Sequence, residues 1–174
     1  MRVFKRGHLL ARVSSVPPIW DIPVEKSGGV GVYKNILVVY KKNFEEVHDN
    51  ALATVRTVLD GFVSENIVRV DYTARETVRR ADFVGPDLVI VLGGDGTLTS
   101  IAHSIDDETP IMGVNSHPRM KDSDGSYGFY MGSDPDNFEE DIKTAMDGKA
   151  IVNVLPRLQA CLLYTSDAAD DWSS

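Results

Sequence analysis

The residues with the clearest chemical meaning form a short glycine-rich run behind a strongly apolar segment. Residues 88–92 are continuously apolar, and the run that follows them is Gly93-Gly94-Asp95-Gly96-Thr97. Glycines permit positive φ and carry no side chain, so backbone N–H groups can approach an anion closely. A helix that begins just downstream adds partial positive charge. We therefore expect a phosphate group bound at the turn.

Asp95 is the unusual member of this run, because a carboxylate repels phosphate. It fits if it accepts a proton from a hydroxyl nucleophile or helps to hold Mg²⁺ between phosphates. The alternative is a tight glycine turn in which Asp95 only caps a helix. A P-loop is excluded, because no G-x-x-x-x-G-K-[ST] pattern occurs in the sequence.

Apolar periodicity predicts the elements that must position this turn. Strands are expected at residues 36–40, 67–71, 88–92 and 110–114. Helices are expected from Asn43 to Phe62, from Thr73 to Phe83, from about Thr97 to Ile105, and from Asp134-Pro135 to Met146. Strands that alternate with helices predict an α/β domain with a largely parallel sheet. Ligands of such sheets bind at the carboxyl ends of the strands, where the turn at residues 93–97 and a loop at residues 115–129 both lie.

The composition excludes several function classes. The chain holds 18 Lys and Arg against 26 Asp and Glu, a formal net charge of −8, and eight of the basic groups fall in residues 1–42. Neutralising phosphates requires clustered basic groups in the folded part, so we expect no nucleic-acid partner. No apolar stretch approaches the roughly 20 residues of a membrane span, so we expect no membrane partner. Cys161 is the one cysteine, which excludes an internal disulfide.

The pattern changes several times along the chain. Residues 1–33 read as a basic tail or an organelle transit-like segment with a linker, and residues 34–150 read as the α/β domain. Residues 151–160 are expected to start a second domain, with a strand at 151–154. Residues 161–174 resemble translated sequencing adaptor, and we expect the natural protein to depart from this sequence near Ala160 and to continue.

A second motif lies behind the fourth predicted strand. Residues 111–118 read Ile-Met-Gly-Val-Asn-Ser-His-Pro, and residues 123–129 read Ser-Asp-Gly-Ser-Tyr-Gly-Phe. The Gly-Gly-Asp-Gly-Thr run resembles the signature that NAD kinases share with phosphofructokinases and the diacylglycerol and sphingosine kinases. The second motif resembles the G-x-N segment of NAD kinases with its downstream Gly-Phe, and its insertion is most similar to the mitochondrial-type branch. This resemblance covers about residues 34–160.

The resemblance implies a Rossmann-like parallel-sheet nucleotide-binding domain of the NAD kinase and phosphofructokinase type. Asp95 would be the general base that deprotonates the adenosine 2′-hydroxyl of NAD for attack on the γ-phosphate of ATP. The residues implied to line the phosphate and ribose path are Gly93, Gly94, Gly96 and Thr97. Asn115 would bind on the NAD side, and Phe129 would pack near the adenine or be an ordinary core aromatic. Mg²⁺ would enter through the ATP phosphates, with no protein ligand assigned to it.

The family has a second, mostly β domain with an Asn-Glu pair, and no such pair follows Ala160. The resemblance therefore implies a missing β-rich domain, a full-length protein that self-associates, and inactivity of this chain by itself. A mitochondrial location is expected, with the cytoplasm as the alternative. A lipid kinase of the diacylglycerol type and a non-catalytic nucleotide-binding module are the competing functions. We expect His117 to be a solvated loop residue and His103 to serve packing or surface.

Overall fold

The computed structural model describes residues 9–11, 33–42, 45–65, 67–106, 108–121, 123–153 and 160–162. Their strands, in chain order, are Leu9–Ala11 (β1), Asn35–Tyr40 (β2), Arg69–Ala74 (β3), Leu88–Gly93 (β4), Ile111–Asn115 (β5) and Ala160–Leu162 (β6). Their helices are Glu46–Ser64 (α1), Asp95–Ala102 (α2) and Phe138–Met146 (α3), with a 3-10 turn at Arg80–Phe83. Within this described part of the chain, no helix is both long and apolar enough to cross a membrane.

The chain divides into two compact units. The larger unit is Lys26–Val152, and the smaller combines Met1–Glu25 with Asn153–Ser174. In the smaller unit β1 pairs antiparallel with β6. These strands lie in or beside the segments predicted as a leader and as an adaptor-like tail, and the rest of both segments is outside the described residues.

The larger unit contains a four-stranded sheet in the order β3-β2-β4-β5, and every neighbouring pair in it is parallel. The two central strands are the continuous apolar runs of the sequence, and β4 is buried along its whole length. Such runs form strands that are covered on both faces, because helical crossovers connect parallel neighbours. The predicted α/β class with a parallel sheet is confirmed.

Helices cover both faces of this sheet. Val55 and Leu59 of α1 and Ile142 of α3 pack with alternate residues of β2 and β4 in one core cluster. On the opposite face, Ile101 of α2 and Phe83 of the 3-10 turn pack with the other set of strand residues. Because the side chains of a strand alternate between faces, one apolar strand supplies both clusters. The result is a three-layer domain whose central strands are fixed from both sides.

The helix predicted from Thr73 to Phe83 is wrong. Thr73 lies inside β3, where it pairs with Val39 of β2, and the strand continues to Ala74. The β-branched and aromatic residues of this stretch favour an extended strand once a partner strand is available. The chain then turns, because the amides of Thr77 and Val78 both donate to the Ala74 carbonyl.

The other helix boundaries differ by a few residues. The helix α1 begins at Glu46, and Asn43, its predicted start, lies outside the described residues. The helix α2 begins at Asp95, two residues before the predicted start. Asp134 precedes α3 rather than capping it directly, since its carboxylate accepts the amide protons of residues 136 and 137 in a turn before the helix. Residues 151–153 are not in a strand, and Val154 lies outside the described residues.

Candidate functional site

The glycine-rich run forms the junction between β4 and α2, with Gly94 in the position that precedes the helix. The glycines of this run do not adopt the positive φ that glycine permits, because the described glycines with positive φ are Gly85, Gly128 and Gly148. The first two glycines are required for space instead. A Cβ on Gly93 would lie 2.4 Å from Thr97 Oγ1, and a Cβ on Gly94 would lie 2.8 Å from Ser126 Oγ.

The third glycine of the run has a different environment. A Cβ on Gly96 would meet nothing within 4 Å, so open space lies beside the first turn of α2. Thr97 is only 3% exposed, and its hydroxyl lies against Gly93, which places it beneath the turn. Gly96 therefore borders the open side of the turn, whereas Thr97 supports the turn from within.

Asp95 is the residue on which the site converges. The amide of Gly128 donates to Asp95 Oδ2 at 3.0 Å, and the amide of Tyr130 donates to Asp95 Oδ1 at 2.9 Å. Ser126 Oγ lies 3.4 Å from the same Oδ2 and 3.4 Å from the Asp95 amide nitrogen. The carboxylate thus fastens the loop after β5 to the start of α2 and uses both of its oxygens.

Asn115 ends β5 and shapes the first part of that loop. It is 6% exposed; its side-chain amide donates to the Ser126 carbonyl, and its Oδ1 accepts the His117 amide proton. Gly128 has a φ of 70°, and a Cβ there would lie 2.7 Å from Asn115 Nδ2. Asn115 and Asp95 therefore hold the same loop from two sides, at the carboxyl ends of adjacent strands.

Phe129 lies at the tip of the loop, and the alternative that it is a core residue is wrong. It is 81% exposed, and its ring stacks on Tyr127 with 5.6 Å between centroids. The guanidinium of Arg119 lies 4.4 Å from the centroid of the Tyr127 ring. Stacked exposed rings of this kind offer a flat apolar face to a planar ligand. Lys121 pairs with Asp136. His103 is exposed after α2, in agreement with the surface role expected for it.

A second group of polar residues lies at the start of α1, and its members Glu45 and His48 were not indicated by the sequence. His48 Nδ1 is 2.6 Å from Ser116 Oγ, and His48 Nε2 is 3.2 Å from Glu45 Oε2. The ring of His117 meets the ring of His48 edge-on at 5.9 Å, so His117 is not simply solvated. Burial lowers the pKa of His48, and Lys41 lowers it further, while Glu45 opposes them. The contacts between residues 48 and 116 span 68 positions, a separation at which sequence spacing gives no signal.

Glu45, Ser116 and His117 of this second group border a cleft of about 630 Å³, whose walls come from the first turns of α1, from residues 116–118 and from Pro135 and Asp136. The glycine run, Asp95, Asn115 and Phe129 are not among the residues that line it. The cleft lies at the carboxyl edge of the parallel sheet, where ligands of open α/β sheets bind.

A glycine turn and a helix start at this edge define an α/β domain of the nucleotide-binding kind. The family profile described as the ATP-NAD kinase N-terminal domain matches residues 32–150. The chain therefore belongs to the ATP-NAD kinase N-terminal domain family, as the motifs suggested.

Curated relatives agree with this assignment. The chain is 28% identical over 156 residues to the NADH kinase of Arabidopsis thaliana, covering 81% of this chain and 46% of the relative. It is 32% identical over 100 residues to a probable NADH kinase of Oryza sativa subsp. japonica, covering 49% of this chain and 31% of that protein. An NAD kinase of Archaeoglobus fulgidus, solved with ATP, gives a TM-score of 0.42 at 23% identity over 64% of this chain and 36% of that chain. The chain thus spans less than half the length of the curated relatives it matches.

Proposed function

We propose that the full-length protein, meaning the natural gene product that contains residues 33–153, transfers the γ-phosphate of ATP to the 2′-hydroxyl of the NAD adenosine ribose and so makes NADP. The observation that carries this proposal is the position of Asp95. Its carboxylate stands at the N-terminus of α2, at the carboxyl edge of the sheet, in a chain of the ATP-NAD kinase family. Relatives of this chain carry the names NADH kinase and probable NADH kinase.

The first chemical task belongs to the carboxylate. An ionised carboxylate has about four acceptor positions. The Gly128 amide and the Ser126 hydroxyl donate to Asp95 Oδ2, and the Tyr130 amide donates to Oδ1. One acceptor position, on Oδ1, is left for a substrate hydroxyl, and the anchoring donors fix the direction in which it points. In this proposal Asp95 accepts the hydroxyl proton while the hydroxyl oxygen attacks the γ-phosphorus, the bond from that phosphorus to the β–γ bridging oxygen breaks, and ADP leaves.

In this proposal the ATP phosphates and the NAD molecule lie on either side of the Asp95 carboxylate. Open space beside Gly96 at the start of α2 suits an anionic phosphate chain, because the helix N-terminus carries partial positive charge. Mg²⁺ supplied with ATP would help to neutralise the charge that develops during transfer, and no residue of this chain is assigned to hold it. Asn115 and Gly94 border the same turn, and the exposed ring of Phe129 provides the face on which the adenine stacks.

One experiment shows whether NAD or a lipid is the substrate and which hydroxyl receives the phosphate. The full-length protein is incubated with ATP, Mg²⁺ and either NAD or a diacylglycerol dispersion, and the products are identified by ³¹P NMR. We expect a new phosphomonoester on the adenosine ribose of NAD and none on the lipid. Phosphorylation of the lipid would replace the proposal with the lipid-kinase function, and nucleotide binding without transfer would replace it with a non-catalytic module.

The 174-residue chain provides a further test. The resemblance to NAD kinases implies a second domain that supplies an Asn-Glu pair and contacts for NAD, so we expect the 174-residue polypeptide, tested by itself, to bind ATP but not to form NADP. Isothermal titration with ATP and an NADP assay on the same preparation measure the two properties. NADP formation at the rate of the full-length protein would contradict the need for a second domain.

A further inference from the structure

The start of α1 and the loop after β5 bring together three side chains that the proposed phosphoryl transfer does not use. Glu45, His48 and His117 each offer one ligand atom, and these atoms all lie within 4.8 Å of one another. The side chain of His48 is 10% exposed, whereas Glu45 stands at the rim of the cleft. These three side chains therefore lie at the wall of the cleft, and the side of the group that carries Glu45 is open to solvent.

The spacing suits a tetrahedral metal site. Zinc bonds of about 2.0–2.1 Å imply a separation of about 3.3 Å between ligand atoms at the corners of a tetrahedron. The distance from His48 Nε2 to Glu45 Oε2 is 3.2 Å. The ligand atom of His117 lies within 4.8 Å of the other two, so a shift on the order of 1.5 Å brings it close to the same geometry.

Ser116 orients the central ligand. Its hydroxyl lies 2.6 Å from His48 Nδ1, and Ser116 is 2% exposed. A metal-bound histidine almost always donates its other ring N–H to an oxygen, which fixes both the tautomer and the ring orientation. With Nδ1–H donated to Ser116 Oγ, the lone pair of Nε2 points toward Glu45.

A chain of hydrogen bonds is the competing arrangement. In it Ser116 donates to His48 Nδ1, and His48 Nε2–H donates to Glu45. In that arrangement the ring of His117 stands edge-on to His48 at 5.9 Å. A shared cation instead requires a ring nitrogen of His117 as a ligand, so metal binding by His117 variants separates the two arrangements.

We propose that Glu45, His48 and His117 bind one divalent transition metal ion of the zinc type, with a fourth position that opens to the cleft. Two imidazoles and one carboxylate with an open position form a known zinc ligand set. Mg²⁺ and Ca²⁺ prefer oxygen ligands throughout and so fit less well. The ion links the start of α1 to the loop whose later residues hold Asp95.

The test uses the metal-free 174-residue chain and Zn²⁺ alone. Competition with a chromophoric chelator should give one Zn²⁺ per chain with a dissociation constant below about 10 μM, and Zn²⁺ should raise the melting temperature. Mg²⁺ at about 5 mM should not displace it. Co²⁺ should give d–d absorption of four-coordinate type without a thiolate charge-transfer band, which excludes Cys161 as a ligand.

Variants separate ligation from folding. His117→Asn and Glu45→Gln change residues outside the core, and each should weaken Zn²⁺ binding at least about tenfold, while circular dichroism stays unchanged. His103→Asn, on the exposed end of α2, is the matched control and should bind like the parent chain. Absence of one-to-one binding, or equal binding by the His117→Asn and His103→Asn variants, would overturn the proposal and leave the hydrogen-bonded chain as the explanation.

Discussion

Two aspartates of this domain accept backbone amide protons in different ways, and replacing each by asparagine should have unequal effects. Asp95 uses both oxygens, one for the Gly128 amide and one for the Tyr130 amide. Asp87 uses Oδ2 alone, which accepts from the amides of Lys34 and Asn35, both at 3.0 Å. Asparagine keeps one oxygen, so it can reproduce the contacts of Asp87 but not those of Asp95.

The magnitude follows from this count. In Asp95→Asn one amide faces an NH₂ group, so a charge-assisted hydrogen bond worth about 1.5–3 kcal/mol is lost. Partial exposure reduces that loss, and we expect about 2 kcal/mol of destabilisation. In Asp87→Asn only the charge assistance is lost, and the site is exposed, so we expect less than about 1 kcal/mol.

Urea unfolding of the 174-residue chain, followed by circular dichroism, measures the difference. With an m-value of about 2 kcal/mol/M, the midpoint should fall by about 1 M for Asp95→Asn and by less than about 0.5 M for Asp87→Asn. Amide exchange at Gly128 and Tyr130 should accelerate in the first variant alone. Equal midpoints for the two variants, or unchanged exchange at these amides, would refute the anchoring role of Asp95.

Two further predictions concern space and buried polar groups. Gly94→Ala should destabilise the fold by about 1–3 kcal/mol, because the new Cβ lies 2.8 Å from Ser126 Oγ. Gly96→Ala should stabilise it by up to about 1 kcal/mol, because there is open space beside Gly96 and alanine is the better helix former. Equal urea midpoints for the two variants would contradict this. The Tyr72 hydroxyl is buried without a hydrogen-bond partner among the described residues, so Tyr72→Phe should be neutral or stabilising by about 1 kcal/mol. Burial, and to a smaller extent Asp60, raise the pKa of Tyr72 above its ordinary value of 10.0. The folded state therefore holds the phenol proton more tightly than the unfolded state does, and the protein loses stability as the pH rises past 10.0. Tyr72→Phe should therefore lose less stability between about pH 9 and about pH 11, and identical losses would contradict the assignment.

The sequence was sufficient for those parts of the fold that depend on local pattern. The central strands were predictable because residues 36–40 and 88–92 are apolar on both faces, a pattern that few alternatives satisfy. The segment from Thr73 to Phe83 was not predictable, because its strand depends on pairing with β2, more than 30 residues earlier. Capping signals at Thr73 and Glu76 favoured a helix, and the long-range pairing overrode them.

The candidate site also has some features that the sequence indicates and others that depend on long-range contacts. The Gly-Gly-Asp-Gly-Thr run was found by residue type and by its position at a strand end, whereas Asn115 was indicated by the resemblance to NAD kinases. The contacts that hold Asp95 were not, because its amide donors lie 33 and 35 residues away. Glycine function was also misjudged: Gly93 and Gly94 are needed because Thr97 and Ser126 occupy the space of a Cβ, which only packing reveals.

The central claim is that the Asp95 carboxylate is the base for phosphoryl transfer rather than only the anchor of a loop. Gly128→Ala loosens the same loop, through its φ of 70° and the Asn115 amide 2.7 Å from the new Cβ, but keeps the carboxylate. The measurement is kcat for NADP formation by the full-length protein and by its Asp95→Asn and Gly128→Ala variants, at a temperature where all three proteins are folded. We predict a loss of about 10²–10⁴-fold for Asp95→Asn and a much smaller loss for Gly128→Ala. Equal losses in the two variants, or full turnover by Asp95→Asn, would contradict the account.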